Sequence, residues 1–307
     1  MALRVAIPDL VSPSYFPAIA AVELGFFKQE GLDATLELLY PVTRTYEALR
    51  DGELDLVGGA SHAPLYAFKD WAGCRLLCAL AQHMYWFLVV RTDAGAKRGD
   101  LNAVKGMRIG AAPGPVDGLR RMLGAAGIDP KRDLEIGPVP GLAVGNKVSF
   151  GLMAAEALRQ GKIDGFWANG MGAEVALRRG IGTVIVDARR DGSPAARDYT
   201  FPALVATQKL VDEQPDVAAA AVRAIVAAQR ALKAAPERAT AVGEKLFPPD
   251  EAALIAELVR RDAPFYDATI SEQSVDAMNR FARDIGLLSI PVAYGQVVAT
   301  DVRKYWV

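Results

Sequence analysis

Polar, aromatic and glycine residues gather in loops that follow predicted strands, and their types suit contacts with a small molecule. Hydroxyls and free N–H groups at helix N-termini can hold an anionic or polar group. Arg44 could form paired hydrogen bonds with a carboxylate or sulfonate, and Tyr15 and Trp167 are candidate stacking walls. The candidate ligand-contacting residues are Ser14, Tyr15, Thr43, Arg44, Ser61, His62, Pro113, Gly114, Gly141, Trp167, Asn169 and Tyr199.

Each candidate also has a structural interpretation that the sequence leaves open. The hydroxyls of Ser14, Thr43 and Ser61, like that of Ser12, could cap helices. The glycines could serve only to form turns, Arg44 could be solvated, and large aromatic side chains often belong to a core.

The histidines and cysteines show no metal-binding pattern. His62 follows a predicted strand and could contact a ligand or have a structural role, whereas His83 lies in a predicted turn. Neither has a second histidine or a carboxylate at metal-ligand spacing, so we expect no metal and no cofactor. Cys74 and Cys78 lie in one predicted strand, where their Cα atoms are about 13 Å apart. That separation excludes a disulfide between them, and we expect both to be buried.

Short apolar strands and amphipathic helices alternate in the first half of the chain. This alternation favours a mostly parallel sheet covered by helices, and ligands bind beyond the carboxyl ends of such strands. The predicted strands are 3–7, 34–39, 54–58, 74–80 and 85–91, and the predicted helices are 16–24, 43–51 and 62–70.

The pattern restarts after the polar interval 92–100, which is a candidate passage between two lobes. The stretch Gly161-Lys162-Ile163-Asp164 echoes Gly52-Glu53-Leu54-Asp55, which indicates two lobes of similar construction. The polar segment 188–198 is a candidate return passage, and the chain end at Tyr305 and Trp306 is expected to dock on lobe one. Further predicted elements are a strand within 105–114, helices at 116–126 and 147–160, strands at 133–138, 161–167 and 181–187, and helices at 216–235, 250–261 and 272–286.

The stretch from Ala21 to Leu32, Ala-Val-Glu-Leu-Gly-Phe-Phe-Lys-Gln-Glu-Gly-Leu, resembles the opening signature of a family of solute-binding proteins. That family binds nitrate, sulfonates, taurine and thiamine-precursor pyrimidines for ABC importers. The likeness covers nearly the whole chain and is sharpest at 15–33, 104–114 and 161–165. The resemblance implies the α/β periplasmic binding protein type 2 fold, in which two lobes flank a ligand cleft and close by a hinge.

We therefore expect lobe one to comprise 1–91 and 200–307, and lobe two 92–199. The expected function is capture of a small polar or aromatic organic solute: a pyrimidine, an aromatic acid or a sulfonate. The expected partners are that ligand and the importer's permease, and the chain is expected to be a monomer. Tyr15, Trp167, Tyr199 and Phe201 favour a flat aromatic ligand, and the absence of further loop arginines disfavours a multiply charged anion.

Size and charge are consistent with this interpretation. The 307 residues suffice for two lobes of about 150 residues each. A net charge of −1, from 35 basic and 36 acidic residues, gives no electrostatic case for nucleic acid or an anionic membrane. No apolar run is long enough to span a membrane.

The start, Met-Ala-Leu-Arg, shows no secretion signal. The alternatives are a removed signal with a periplasmic location, which the resemblance favours, and a cytoplasmic protein.

Two other classes of function remain open. An enzyme on the same scaffold could resemble a pyrimidine-precursor synthase, but the cysteine-rich run and clustered histidines of that enzyme are missing. It could also resemble an aromatic sulfinate desulfinase with a cysteine nucleophile, but the loops 13–15 and 59–62 contain no cysteine. A ligand-sensing protein is the third class.

Overall fold

The chain forms two compact units in a computed structural model that describes residues 2–142, 149–191 and 194–307. Unit 1 comprises Met1–His83 and Tyr199–Val307, and unit 2 comprises Met84–Asp198. The strands are β1 (Ala2–Ile7), β2 (Asp33–Leu38), β3 (Leu56–Ala60), β4 (Cys74–Ala79), β5 (Phe87–Arg91), β6 (Arg108–Ala111), β7 (Glu135–Gly137), β8 (Gly165–Ala168), β9 (Gly182–Asp187) and β10 (Pro202–Thr207).

Helices cover both sheets, and unit 1 contains the longer ones. Their bounds are α1 (Phe16–Glu23), α2 (Phe26–Gln29), α3 (Val42–Arg50), α4 (Pro115–Ala125), α5 (Phe150–Arg159), α6 (Gly170–Arg178), α7 (Ala188–Asp191), α8 (Pro194–Arg197), α9 (Gln208–Glu213), α10 (Pro215–Ala234), α11 (Arg238–Leu246), α12 (Pro249–Asp262), α13 (Glu272–Asp284) and α14 (Tyr294–Val297). Within the described residues, no helix combines the length and apolar character needed to cross a bilayer.

The two five-stranded sheets have the same strand order. It is β2-β1-β3-β10-β4 in unit 1 and β7-β6-β8-β5-β9 in unit 2. The fourth strand in each order, β10 or β5, runs antiparallel to its neighbours, while the remaining paired strands are parallel. The predicted α/β architecture of two mostly parallel sheets is confirmed.

The strand Phe87–Arg91 lies in unit 2, whereas the sequence placed it in lobe one. It pairs with β8 and β9, so the chain changes unit after His83 and returns after Asp198. The polar interval 92–100 therefore lies inside unit 2 and is not the passage between units. An apolar strand fits either core, and its pattern alone does not reveal which sheet it joins.

The echoed glycine-to-aspartate stretches form the same hydrogen-bonded corner in both units. In unit 1 the backbone N–H of Arg4 donates to Asp55 Oδ2 (2.7 Å), and its guanidinium donates to the carbonyl of Gly52 (2.7 Å). In unit 2 the backbone N–H of Arg108 donates to Asp164 Oδ2 (2.9 Å), and its guanidinium donates to the carbonyl of Gly161 (2.9 Å). Both glycines have positive φ angles, 77° and 66°, which glycine adopts without steric cost. The predicted similarity of the two halves thus has a local physical basis.

The segment that carries the family resemblance folds as predicted. Pro17 lies in the first turn of α1, which Leu24 closes. Gly25 takes a left-handed conformation, with φ of 76°, and α2 begins directly after it. The left-handed residue separates the two helices, which is the role predicted for this glycine.

One predicted helix differs in the structure. The helix predicted over 62–70 is instead two 3₁₀ helices, Ala63–Tyr66 and Lys69–Trp71. Trp71 has a positive φ of 66°, and its indole N–H donates to Asn279 Oδ1 in α13 (3.2 Å). A residue with positive φ cannot continue an α-helix, and the hydrogen bond to Asn279 holds Trp71 in this position.

The predicted return passage 188–198 contains the short helices α7 and α8. Its residues 192–193 lie outside the described residues, as do residues 147–148 of the helix predicted over 147–160. The described part of that helix is α5.

The C-terminal segment packs on the edge strand β4, as predicted for the chain end. The N–H of Ala299 donates to Leu76 O (3.0 Å), and the indole of Trp306 donates to Leu77 O (2.9 Å). These contacts occupy carbonyls of an edge strand that would otherwise be open to pairing with another chain.

Candidate functional site

The parallel strands of unit 1 end at one edge of its sheet, here called the carboxyl edge of unit 1. Residues 8–15 follow β1 there, and Ser61 and His62 follow β3. The antiparallel strand β10 starts at the same edge, because Pro202 pairs with Ala60. The approach to β10, residues 199–201, therefore lies beside the end of β3.

A chain of buried hydrogen bonds occupies this edge. The backbone N–H of Phe201 donates to Ser61 Oγ (3.2 Å), and Ser61 Oγ lies 3.1 Å from Thr200 Oγ1. Thr200 Oγ1 is in turn 2.9 Å from His62 Nδ1. Ser61, His62 and Thr200, here called the hydroxyl–histidine cluster, are 0% exposed. Hydrogen bonds in such a water-excluded place hold polar groups in fixed positions.

Aromatic rings surround the hydroxyl–histidine cluster. Tyr199 stacks on Phe281 with a centroid distance of 4.8 Å and an angle of 10°. His62 meets Phe281 edge-on at 5.2 Å, and Tyr66 at 6.4 Å. The structure thus brings together the predicted residues Ser61, His62 and Tyr199. Sequence reasoning missed Thr200, which adjoins Tyr199, and Phe281, which lies far along the chain in α13.

Hydrogen bonds hold the loop after β1 against α12 and the residues that follow α12. Ser14 Oγ donates to Asp262 Oδ2 (2.9 Å), and Tyr266 Oη donates to Pro13 O (2.6 Å). Ser14 therefore does not act as the helix cap that its sequence position also allowed. Tyr15 occupies the N-cap position of α1 and is buried.

Two tyrosines near this loop have raised pKa values. Burial is the main cause of the rise in the pKa of Tyr40 to about 12, and the charge of Asp9 adds to it. Burial also raises the pKa of Tyr46, with a further contribution from Tyr15. Both phenols therefore stay protonated in the physiological range. Asp9 is itself buried, and its Oδ1 accepts from the N–H of Val11 (3.3 Å).

Thr43 and Arg44 lie in the first turn of α3. Pro41 holds the N-cap position, so Thr43 does not cap the helix. The guanidinium of Arg44 is 3.5 Å from carboxylate oxygens of both Glu47 and Glu53. It forms an exposed ion-pair network, and the pairing of Arg44 with a ligand stays a prediction.

Two predicted residues of unit 2 have structural partners. Trp167 is fully buried, and its indole N–H donates to Pro115 O (3.0 Å). This is the packing of a core side chain, so its role as a ligand wall stays a prediction. Asn169 caps α6, because its Oδ1 accepts from the N–H groups of Met171 (2.9 Å) and Gly172 (3.2 Å).

The remaining predicted residues of unit 2 lie in turns. Gly114 is buried with φ of 88° and leads into α4, next to the exposed Pro113. Gly141 is exposed with φ of 86°. Both glycines occupy backbone conformations that other residues rarely adopt.

Sequence reasoning also missed a buried arginine after β9. Arg189 is 4% exposed, and its backbone N–H donates to Asp187 Oδ1 (3.2 Å). The neighbouring Arg190 pairs with Asp187 Oδ2 (2.8 Å). The polar composition of 188–198 suggested a turn, and it gave no signal that one of its arginines is buried.

Both cysteines are free and buried in β4. Burial raises the pKa of Cys74 to about 12, despite the opposing charge of Arg75. Burial raises the pKa of Cys78 as well. The predicted absence of a disulfide between them is confirmed, and both are thiols at physiological pH.

Unit 2 also has an open groove of about 550 Å³ at the other edge of its sheet. It lies where β5 ends and β8 and β9 begin, away from the strand ends that carry the predicted residues. Its lining includes Arg91, Asp93, Arg159 and Ile181. Arg91 is paired there with Asp93 and Asp164.

Comparison with solved structures shows the same fold in several proteins. The alkanesulfonate-binding protein SsuA from Xanthomonas axonopodis pv. citri, bound to MOPS, is 14% identical, with 98% of this chain and 97% of that chain covered and a TM-score of 0.70. The nitrate-binding protein NrtA from Synechocystis PCC 6803 is 14% identical, with 99% and 88% covered and a TM-score of 0.71. A cysteine-to-serine variant of DSZB in complex with biphenyl-2-sulfinic acid is 17% identical, with 99% and 97% covered and a TM-score of 0.68.

A comparison with curated proteins gives no match. The family model described as NMT1/THI5 like matches residues 12–239, about three quarters of the chain. The match begins in the loop after β1 and includes all of unit 2. The chain belongs to the NMT1/THI5-like family.

Proposed function

We propose that the protein is the solute-binding component of an ABC importer and that it captures a small polar or aromatic organic solute. Capture would occur by closure of the two units around the solute, which ligand binding favours when it is tighter in the closed state. Membership of the NMT1/THI5-like family supports this function. So does the likeness in fold to binding proteins for alkanesulfonates and nitrate.

One observation carries the proposal most directly: the buried hydroxyl–histidine cluster beside the stacked rings of Tyr199 and Phe281. Binding sites for small molecules combine aromatic walls with a few positioned polar groups. This group lies at the carboxyl edge of a mostly parallel sheet, where α/β proteins bind ligands.

The proposed ligand contacts follow from that placement. The primary proposed contacts are Ser61, His62 and Tyr199, together with Ser14 and Tyr15 in the loop after β1. The other candidates, Thr43, Arg44, Pro113, Gly114, Gly141, Trp167 and Asn169, are proposed as secondary contacts, since several have structural partners. The aromatic character of the first group supports a flat ligand such as a pyrimidine or an aromatic acid, with a sulfonate as the alternative.

The burial of the cysteines supports binding over desulfinase-like catalysis. A nucleophilic cysteine needs a lowered pKa and partial exposure. Cys74 and Cys78 are buried, and burial raises the pKa of both. The likeness to DSZB is one of fold.

The proposed partners and location follow from the proposed function. A solute-binding component delivers its ligand to a permease, so we propose an ABC permease as the protein partner. We propose that the protein works as a periplasmic monomer.

A thermal-shift screen tests this function. The panel contains aliphatic sulfonates, nitrate, aromatic carboxylates, pyrimidines and an aromatic sulfinate, and mass spectrometry follows each compound for conversion. A ligand of the folded state raises the melting temperature by mass action. A shift without conversion is the expected result. Conversion of the compound would establish an enzyme instead.

The site is tested with one variant and a matched control. Ser61→Ala should weaken binding of the best ligand at least tenfold, because a hydrogen-bonding group at the site is removed. Ser289→Ala removes an exposed hydroxyl elsewhere in unit 1 and should leave affinity unchanged. Equal affinities for Ser61→Ala and Ser289→Ala would remove the hydroxyl–histidine cluster from the site.

A further inference from the structure

The open groove of unit 2 lies at a sheet edge that has a counterpart in unit 1. The two sheets have the same strand order, so β5 corresponds to β10 and β9 corresponds to β4. The residue after β5 donates its N–H to the residue before β9, from Thr92 to Ile181 O (3.2 Å). The residue after β10 does the same with the residue before β4, from Gln208 to Gly73 O (2.8 Å). The two edges are therefore built alike.

In unit 1 a short helix covers this edge. α9 begins directly after β10, packs against β10 and β4, and buries Leu210. The hydroxyl of Thr207 caps α9 by accepting the N–H of Leu210 (3.1 Å). Burial lowers the pKa of Arg75 in β4, and the charge of Asp212 in α9 opposes that shift. An apolar side chain and a carboxylate of one helix thus cover the edge together.

In unit 2 the chain leaves the corresponding edge open. After β5 it forms only the 3₁₀ turn Thr92–Ala94, which buries no side chain. The groove of about 550 Å³ lies there. Its apolar lining residues are Leu158, Ile163 and Ile181, and its charged lining residues are Arg91, Asp93 and Arg159.

The charge of unit 2 favours an acidic occupant. Unit 2 contains 17 basic and 12 acidic residues, a net charge of +5, whereas unit 1 contains 18 basic and 24 acidic residues, a net charge of −6. At the groove, Arg91 pairs with Asp93, and Arg159 pairs with Glu156. The two arginine side chains are 49% and 52% exposed. Ion pairs this exposed contribute little stability, so a carboxylate from outside can replace either acid.

We propose that this groove binds a short, acidic, amphipathic helix of a partner protein. Its apolar side chain packs on Leu158, Ile163 and Ile181, and its carboxylate forms charge-assisted hydrogen bonds with a guanidinium of the rim. The partner helix covers the edge that α9 covers in unit 1. A small free anion would contact the arginines and leave the apolar lining uncovered. Because the groove lies away from the strand ends that carry the proposed ligand contacts, the inference is independent of the solute-binding function.

Fluorescence anisotropy with three labelled, alanine-based helical peptides tests the inference. The first peptide carries leucine and glutamate on one face, the second has glutamine in place of each glutamate, and the third has alanine in place of each leucine. We expect the first peptide to bind at least tenfold more tightly than the others, and to bind less tightly as salt is added, because salt screens exposed charges. Absence of binding by the first peptide, or equal binding of all three, would overturn the inference.

Two pairs of variants test whether the peptide binds in the groove. Arg159→Gln removes a guanidinium of the groove, and Arg120→Gln removes one that also pairs with an acid three residues away on a helix of unit 2. Ile181→Ala shortens a lining side chain, whereas Leu177→Ala shortens an exposed side chain outside the lining. The groove variants should weaken binding at least tenfold and their controls should not, with the melting temperature of each as a check on folding. Equal affinities within either pair would overturn the inference.

Two further outcomes would assign the groove to another occupant. Displacement of the labelled peptide by free glutamate as effectively as by unlabelled peptide would show that a small anion suffices. A dimer in sedimentation velocity that Arg159→Gln abolishes and Arg120→Gln preserves would assign the groove to a second copy of this chain. Either result would overturn the inference, which predicts displacement by the unlabelled peptide alone and no such dimer.

Discussion

Replacement of Thr200 by valine removes the hydroxyl at the centre of the hydroxyl–histidine cluster. Thr200 Oγ1 lies 3.1 Å from Ser61 Oγ and 2.9 Å from His62 Nδ1, and all three residues are fully buried. Valine fills nearly the same volume, so the loss is polar and not steric. Water cannot replace the missing hydroxyl in a fully buried place.

The size of the effect follows from the two contacts. Each buried polar group deprived of a partner costs about 1–3 kcal/mol, and shared networks are not additive, so Thr200→Val should destabilise unit 1 by about 2–4 kcal/mol. At about 2–4 °C per kcal/mol for a unit of this size, that corresponds to a fall in melting temperature of about 4–16 °C. Ligand affinity should fall as well, because the positions of Ser61 and His62 are no longer fixed.

Differential scanning calorimetry with two companion variants checks this prediction. Thr200→Ser keeps the hydroxyl and should recover most of the stability. Thr300→Val changes an exposed threonine of the same unit and should melt like the unmodified protein. A Thr200→Val protein that melts like Thr300→Val would refute the structural role assigned to the cluster.

Three further predictions concern packing, pH dependence and thiol chemistry. A Cβ at Gly172 would lie 2.6 Å from the carbonyl oxygen of Gly151, so Gly172→Ala should force α5 and α6 apart and cost about 1–3 kcal/mol in urea unfolding. Gly124→Ala, in the last turn of α4 where a Cβ would meet open space, should be neutral or stabilising; equal losses in both variants would contradict the packing argument. Hydrogen bonding to Arg108 lowers the pKa of Asp164 from 3.8 to about 2, so its stabilisation is complete above pH 4 and is lost as the pH falls through 2. Because that arginine is 46% exposed, Asp164→Asn should cost only about 1 kcal/mol at pH 7, and a cost that persists at pH 2 would count against the ion pair. Both cysteines are buried, so Ellman's reagent should label the protein at pH 8 only after denaturation, and rapid labelling of the native protein would disprove their burial.

The fold could be predicted because its signals are local. Alternating apolar and polar segments located the strands, and the glycine-to-aspartate echo marked the same corner in both halves. The assignment of β5 to a sheet could not be predicted, since pairing with β8 and β9 is a long-range choice. The prediction of a helix over 62–70 was wrong for a similar reason, because the indole N–H of Trp71 donates a hydrogen bond to Asn279 in α13, a residue far along the chain.

The candidate site was predicted in part. Ser61, His62 and Tyr199 were identified because they follow or precede strand ends at a sheet edge. Asp262 was missed because its contact with Ser14 joins residues 248 positions apart.

A crystal structure of the protein with the best ligand from the screens would show whether the ligand binds at the carboxyl edge of unit 1. We predict that polar atoms of the ligand lie within hydrogen-bond distance of Ser14, of Tyr15 or of the hydroxyl–histidine cluster. A ligand bound in the unit 2 groove beside Arg91 and Asp93, with no ligand at the carboxyl edge of unit 1, would contradict it.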